Sequence, residues 1–167
     1  ELLHSDYVFR LVSQHEDDKC IHRLLTSCPI LLIQAGWIEI WQEWLVLLEP
    51  WLGQDTTGTA EQQALQLEWR LQRAELLLEQ SDAHGAIEIL KRIGRPRDGD
   101  PAQEARWLLT LTSASMQLGQ ARKARRYLDQ AQKIGLVHQD LGLRYWMQSL
   151  QAQLSRTERV PRRVVQA

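Results

Sequence analysis

Several features of membrane and secreted proteins are missing from this sequence of 167 residues. No apolar run approaches the roughly 20 residues needed to span a bilayer, so we expect no membrane partner. No N-terminal segment has the basic-then-apolar order of a signal peptide. Cys20 and Cys28 are too far apart on one predicted helix to form a disulfide, so we expect reduced thiols in a cytoplasmic protein. The first residue is Glu1 rather than Met, and we therefore expect a piece of a longer or processed chain.

Catalytic and metal-binding signatures are also missing. No Ser, Cys or Thr has the local sequence of a nucleophile, the five His are scattered singly, and no Gly-rich phosphate loop with Lys-Ser/Thr occurs. One crowded region of possible ligands lacks the paired spacing of zinc sites, so we interpret it as surface histidines and core cysteines. We therefore expect no enzymatic activity, no cofactor and no metal. The crowded residues are His15, Asp18, Cys20, His22 and Cys28.

The composition is that of a globular helical protein. The chain is 44% hydrophobic and 25% charged, which is typical of a single domain with a real core. Only five Pro, nine Gly, three Tyr and one Phe accompany many Leu, Ala and Gln, and this balance favours helices over sheet. The sequence therefore predicts an all-α fold.

One stretch of the chain repeats another. Residues 101–135 are largely a second copy of 64–94, with a period of 38 residues. Such a period indicates stacked units of two helices joined by a short turn, none of which buries its apolar face alone. Because a stacked array offers its surface to partners, the repeat predicts a protein-interaction role. Matched positions include Trp69 with Trp107, Leu71 with Leu109, Ala86 with Ala124, and Leu90 with Leu128.

Helical spacing of apolar residues predicts one repeat domain, residues 1–155, followed by a basic tail or linker, 156–167. The domain would contain three helix pairs and one extra helix at each end. Pro96 and Gly99 mark 95–100 as the one place where the repeats would hinge. The pairs cover about 18–53, 60–94 and 100–135, and the flanking helices cover 2–14 and 140–155.

Helix boundaries are marked by capping residues. Thr59 and Gln62 have the spacing of a capping box, and Asp82 and Asp100 precede the next two helix starts. Gly119 is expected to make the turn inside the third pair. These signals are local, so they predict the boundaries directly.

A formal net charge of −1 hides a strong asymmetry. Residues 1–84 carry 14 acidic and 5 basic side chains, a net charge of −9. Residues 85–167 carry 7 acidic and 15 basic side chains, a net charge of +8. Opposite charges favour encounter and orientation, so we expect either head-to-tail self-association or docking against another domain of the same polypeptide or a separate protein.

Three groups of side chains are candidates for binding. The first helices of the second and third pairs would line a concave surface for a protein partner. A basic stripe on the last helix of the third pair is either a solvated convex surface or a docking site for an acidic protein or a phosphate backbone, and scarce aromatics disfavour a single-strand binder. Equivalent tryptophans are either packing residues or a stacking surface for a small-molecule effector. The three groups are Glu68, Leu71, Glu75, Arg106, Leu109 and Ser113; Arg122, Lys123, Arg125, Arg126 and Lys133; and Trp69 and Trp107.

The third pair resembles a tetratricopeptide repeat. Gly119, Ala124, Leu128 and Ala131 have the spacing of that family's second helix, in which the glycine makes the turn and the alanines let helices approach closely. The resemblance covers about 18–135. It implies antiparallel helix pairs in a right-handed superhelical array that binds proteins.

The first two pairs depart from the tetratricopeptide pattern. Ser81 replaces the turn glycine of the second pair, and Trp41 stands where the first pair should have the close-packing alanine. The period of 38 residues also exceeds the family's usual length of about 34. The array therefore becomes less regular towards the N-terminus.

A second resemblance lies in residues 23–45, RLLTSCPILLIQAGWIEIWQEWL. This segment is similar to the start of the helical sensor arm in ATP-dependent regulators of the STAND class, including LuxR-type regulators. There a leucine-rich run precedes Gly, and a Trp-Leu pair follows. The resemblance implies the scaffold or sensor arm of a larger signalling or transcriptional regulator. A small-molecule sensing domain is the alternative function, and a nucleic-acid-contacting helical module is the third.

Overall fold

The structure is a computed structural model that describes residue 21 and residues 36–53, 59–96, 100–134 and 140–159. From residue 36 onwards the described residues form six helices and no strand, which confirms the all-α prediction. None of these helices is both long and apolar enough to cross a membrane. The helices are α1 (Ile38–Leu52), α2 (Ala60–Glu79), α3 (Ala83–Ile93), α4 (Pro101–Gln117), α5 (Ala121–Gln132) and α6 (Leu141–Arg159).

Some of the predicted helices and part of the predicted tail lie outside the described residues. These parts are the flanking helix 2–14, most of the first helix of the first pair, and the end of the basic tail. The last helix continues to Arg159, so the predicted boundary at 155 is corrected by four residues. The prediction ended the helix where the sequence becomes basic. Basic side chains near a helix C-terminus interact favourably with the helix dipole, so a basic composition is compatible with a continuing helix.

The chain divides into two compact units, Glu1–Leu76 and Leu77–Ala167. In the first unit, α1 buries a wide apolar stripe against α2. Trp41, Trp44 and Leu48 of α1 are between 0% and 2% exposed, and they form one cluster with Leu65 and Trp69 of α2. The structure thus places these α1 tryptophans in the core, as the packing interpretation expects.

In the second unit the helices pack in sequence. Helix α3 packs on α4, α4 packs on α5, and α6 packs on both α4 and α5. One core cluster contains Leu108 of α4, Ala124 and Leu128 of α5, and Met147 and Leu150 of α6. All five are at most 5% exposed.

The predicted caps are present. The Thr59 N–H donates to Gln62 Oε1 over 3.1 Å, and the Gln62 N–H donates to Thr59 Oγ1 over 3.3 Å. Asp82 Oδ1 accepts from the Gly85 N–H over 2.8 Å, and Asp100 Oδ1 accepts from the N–H of residue 102 over 2.9 Å. Each cap satisfies a backbone donor that a helix start leaves without an intrahelical partner.

The turns of the second and third pairs have the same geometry, 38 residues apart. Ser81 has φ 63° and Gly119 has φ 68°, the left-handed conformation that normally requires glycine. The N–H of Ser81 donates to Leu78 O over 3.0 Å, and the N–H of Gly119 donates to Met116 O over 2.9 Å. The next N–H in each turn also bonds back across it, over 2.7 Å and 2.8 Å.

Substitutions at these two turn residues are expected to have opposite effects on stability. Ser81→Gly should raise the free energy of unfolding and Gly119→Ala should lower it, each by about 1 kcal/mol, because only glycine adopts positive φ without strain. A Cβ at Gly119 would meet nothing within 4 Å, so the effect is one of backbone conformation alone. Urea unfolding measures both changes.

Ser113 provides the matched control. It lies inside α4, where Ser113→Gly should lower the free energy of unfolding by about 0.5–1 kcal/mol. A Ser81→Gly variant that loses as much stability as Ser113→Gly would contradict the left-handed turn at Ser81.

Candidate interaction surface

Helix α5 buries a narrow apolar face. Ala124, Leu128 and Ala131 have 0% exposed surface and belong to the core cluster that α5 shares with α4 and α6. Two of these three side chains are methyl groups, which let the neighbouring helices approach closely. The rest of the helix circumference remains for polar side chains.

The basic residues of α5 lie outside that apolar face. Arg122, Lys123 and Arg126 are exposed, whereas Arg125 is half-buried. Within the described ranges neither Arg122 nor Arg126 forms an ion pair. Because residues four apart are neighbours on a helix, their two guanidinium groups point out from the same side. We name Arg122, Lys123, Arg125 and Arg126 the α5 basic face; Lys133, beyond the end of α5, is also exposed.

Helix α3 also carries exposed cations, but one of them is paired. Lys91 Nζ lies 2.9 Å from Glu88 Oε1, one turn earlier on the same helix. The hydrogen bond from Lys91, and then its charge, hold the pKa of Glu88 below its usual value. Arg92 is exposed beside this pair. The α3 cations therefore offer a comparison for the α5 basic face.

Arg95 holds the segment after α3 in place. Its Nε donates to Glu104 Oε1 over 2.6 Å, and its Nη1 donates to Gln130 Oε1 over 2.9 Å. These bonds tie the start of the predicted hinge, 95–100, to α4 and α5. Residues 97–99 lie outside the described part of the chain. No local pattern indicates the contacts, since the partners are 9 and 35 residues away.

The predicted concave residues divide into buried and half-buried ones. Glu68, Leu71 and Leu109 are 2%, 0% and 0% exposed, so these three side chains are not accessible to a partner. On α4, Leu109 is buried although it was predicted to be accessible. The reason is that α4 contacts both α3 and α5 and has buried residues on several sides. The half-buried residues are Glu75, Arg106 and Ser113.

Trp69 and Trp107, equivalent in the repeat, make equivalent contacts. Trp69 Nε1 donates to Leu45 O over 2.9 Å, and Trp107 Nε1 donates to Leu90 O over 3.1 Å. Trp69 is only 5% exposed, with the Arg73 guanidinium carbon 5.2 Å from its ring centroid. Each indole N–H thus binds the backbone of the preceding helix, which is the behaviour of a packing residue. A role in ligand stacking stays a prediction.

An open groove lies along α1, with a volume of about 460 Å³. Val46 and Leu47 are 54% and 44% exposed there, and α1 contains no basic residue. The polar residues of this segment, Glu39, Gln42, Glu43 and Glu49, are all exposed and mark the exposed side, but no such signal shows that Val46 and Leu47 lie on it. We name this feature the α1 groove; its lining residues in the described part of the chain are Glu39, Gln42, Glu43, Trp44, Val46 and Leu47.

The possible metal ligands noted in the sequence, among them His15, Asp18 and His22, lie outside the described residues, as do Cys20 and Cys28. Within the described residues, no three His, Cys, Asp or Glu side chains come together in a way that would hold a metal ion.

Comparison with known proteins found no matching family model, no matching curated protein and no matching solved structure. The resemblances to tetratricopeptide repeats and to STAND-class sensor arms therefore stay predictions.

Proposed function

We propose that this chain is a protein-interaction module, the scaffold or sensor arm of a larger signalling or transcriptional regulator, whose α5 basic face docks an acidic protein segment. The observation that carries the proposal is the division of α5 into two sides. One side is completely buried, and the other exposes Arg122 and Arg126 without an ion pair within the described ranges.

The local repeat geometry supports a tetratricopeptide-like array as the scaffold for this face. The turns at Ser81 and Gly119 share their conformation and their backbone hydrogen bonds. Trp69 and Trp107 each bind a carbonyl of the preceding helix. Recurrence of the same turn and the same contact at one period is what stacked helix-pair units produce.

Arginine is suited to an acidic protein partner. Its planar guanidinium forms two parallel hydrogen bonds with a carboxylate, and side chains one turn apart would engage carboxylates one turn apart on a partner helix. Phosphate groups accept the same paired hydrogen bonds from arginine. Single-strand nucleic-acid binders, however, interleave aromatic side chains with their cations. The only aromatic residue in α5 is Tyr127, which is half-buried. This favours the acidic protein.

A binding experiment tests the proposal. Fluorescence anisotropy would measure a labelled Glu-rich helical peptide and, separately, a labelled DNA duplex. We expect the peptide to bind, and Arg122→Glu combined with Arg126→Glu to weaken it on the order of tenfold or more. Added salt should weaken binding further, because exposed charges are screened beyond a Debye length of about 8–10 Å.

The matched control reverses the same number of charges on α3. Lys91→Glu combined with Arg92→Glu should change peptide affinity much less than the α5 pair does. Equal losses would mean that net charge, rather than the α5 basic face, governs binding. Duplex DNA that binds more tightly than the peptide, with a steep salt dependence abolished by the α5 pair, would replace the proposal with the nucleic-acid alternative.

A further inference from the structure

Large apolar side chains are exposed at two places in the part of the chain that the structure describes. Val46 and Leu47 are 54% and 44% exposed on α1, and Leu141 and Tyr145 are 70% and 77% exposed on α6. Adjacent exposed apolar side chains, unlike isolated ones, indicate surfaces that contact another molecule. α1 and α6 are also the first and last of the six helices in chain order.

The first of these surfaces is bordered by acidic residues. Glu39 and Glu43 lie on the same exposed side of α1 as Val46 and Leu47, at spacings of three and four along the helix. α1 contains no Lys or Arg, and within the described ranges Glu39 forms no ion pair. The α1 groove therefore fits an apolar surface that brings a positive charge.

The second surface carries that charge. Arg144 is exposed between Leu141 and Tyr145, and the opposite side of α6 is buried against α4 and α5. The carboxylate of Asp140 caps the helix by accepting from the N–H of Leu143 over 2.9 Å. Its negative charge is partly offset by the positive end of the helix dipole. We name Leu141 and Tyr145 the α6 apolar face.

We propose that the α6 apolar face of one copy docks in the α1 groove of a second copy, so that the protein associates head to tail. Apolar side chains then cover apolar side chains, and Arg144 approaches Glu39. The two halves of the sequence have formal charges of −9 (residues 1–84) and +8 (residues 85–167), which favours the same orientation at longer range. This contact goes beyond the proposed function, because it does not use the α5 basic face.

A head-to-tail contact has a consequence that a symmetric dimer lacks. Each interface uses a groove from one copy and a face from another, so a dimer joined by one such interface keeps one free surface of each kind. Assembly should therefore continue past the dimer as the protein concentration rises. Light scattering after size exclusion at low salt should show an average mass that increases with concentration and falls with added salt.

Two double variants, each lacking one of the two surfaces, test the pairing of the surfaces. Val46→Ser with Leu47→Ser removes the apolar part of the groove, and Leu141→Ser with Tyr145→Ser removes the face. Each variant alone should be monomeric. An equimolar mixture should form dimers and nothing larger, because each variant supplies the surface that the other lacks.

A control pair, Gln63→Ser with Ala152→Ser, changes exposed residues of α2 and α6 outside both surfaces and should assemble like the unmodified chain. Circular dichroism checks that every variant is folded. A monomeric unmodified chain at all concentrations, or folded variants whose mixture stays monomeric, would overturn the proposal. So would assembly that survives in either variant alone. Binding of the acidic peptide is a separate readout, which both variants should retain.

Discussion

Replacing Trp41 with alanine is expected to lower the free energy of unfolding by about 3–5 kcal/mol. Trp41 is 0% exposed and lies in the core cluster between α1 and α2. Alanine would remove one of the largest side chains of that cluster and leave a cavity that its neighbours fill only in part. Urea unfolding followed by far-UV circular dichroism measures the loss.

A hydrogen bond adds to the expected loss. Trp41 Nε1 donates to Gln72 Oε1 over 3.1 Å, and Gln72 Nε2 donates to Glu68 Oε1 over 2.9 Å. Gln72 is 0% exposed, so its oxygen would lose that donor without gaining bulk water. Trp41→Phe separates the two effects, since it keeps most of the ring and removes the donor. We expect Trp41→Phe to cost about 1–3 kcal/mol.

Gln42 supplies the control for Trp41, as the next residue on the same helix and an exposed one. Gln42→Ala should change the free energy of unfolding by no more than about 0.5 kcal/mol. A Trp41→Ala variant as stable as Gln42→Ala would contradict the burial of Trp41 between α1 and α2.

Helix boundaries and turns could be predicted because they depend on neighbours in sequence. The bond of Asp82 to Gly85 spans three residues, and the left-handed turn at Gly119 follows from one residue type. The turn at Ser81 could also be predicted, because Ser81 lies one repeat period before Gly119. Arg95 shows the limit: its partners are brought close only by packing, and no local pattern announces them.

Candidate surfaces were predictable only where a helix has one buried side. On α5, Ala124 and Leu128 mark that side by their spacing, and the arginines take the other. Helix α4 packs on more than one side, so helical spacing alone did not show that Leu109 is buried. Glu68 differs from its prediction for another reason. A charged side chain is expected to be exposed, yet Glu68 is buried and accepts a hydrogen bond from Gln72. On α1 the polar residues Glu39 and Glu43 mark the exposed side, but nothing in the sequence indicates that the apolar Val46 is exposed beside them.

The second large effect is expected at Ala124. Ala86 and Ala124 occupy the same place in successive repeats, and both are 0% exposed. Ala124→Leu would add a branched side chain to a closed core. We expect it to lower the free energy of unfolding by about 1–3 kcal/mol.

Lys123→Leu separates this overpacking from any general effect of leucine on α5. Lys123 is the adjacent residue and is exposed, so the same side chain placed there meets solvent and should change the free energy of unfolding by no more than about 0.5 kcal/mol. Both variants are compared with the unmodified chain by urea unfolding. Equal stability of Ala124→Leu and Lys123→Leu would mean that α5 leaves room for three more carbon atoms at Ala124, and would contradict the close approach of the helices around it.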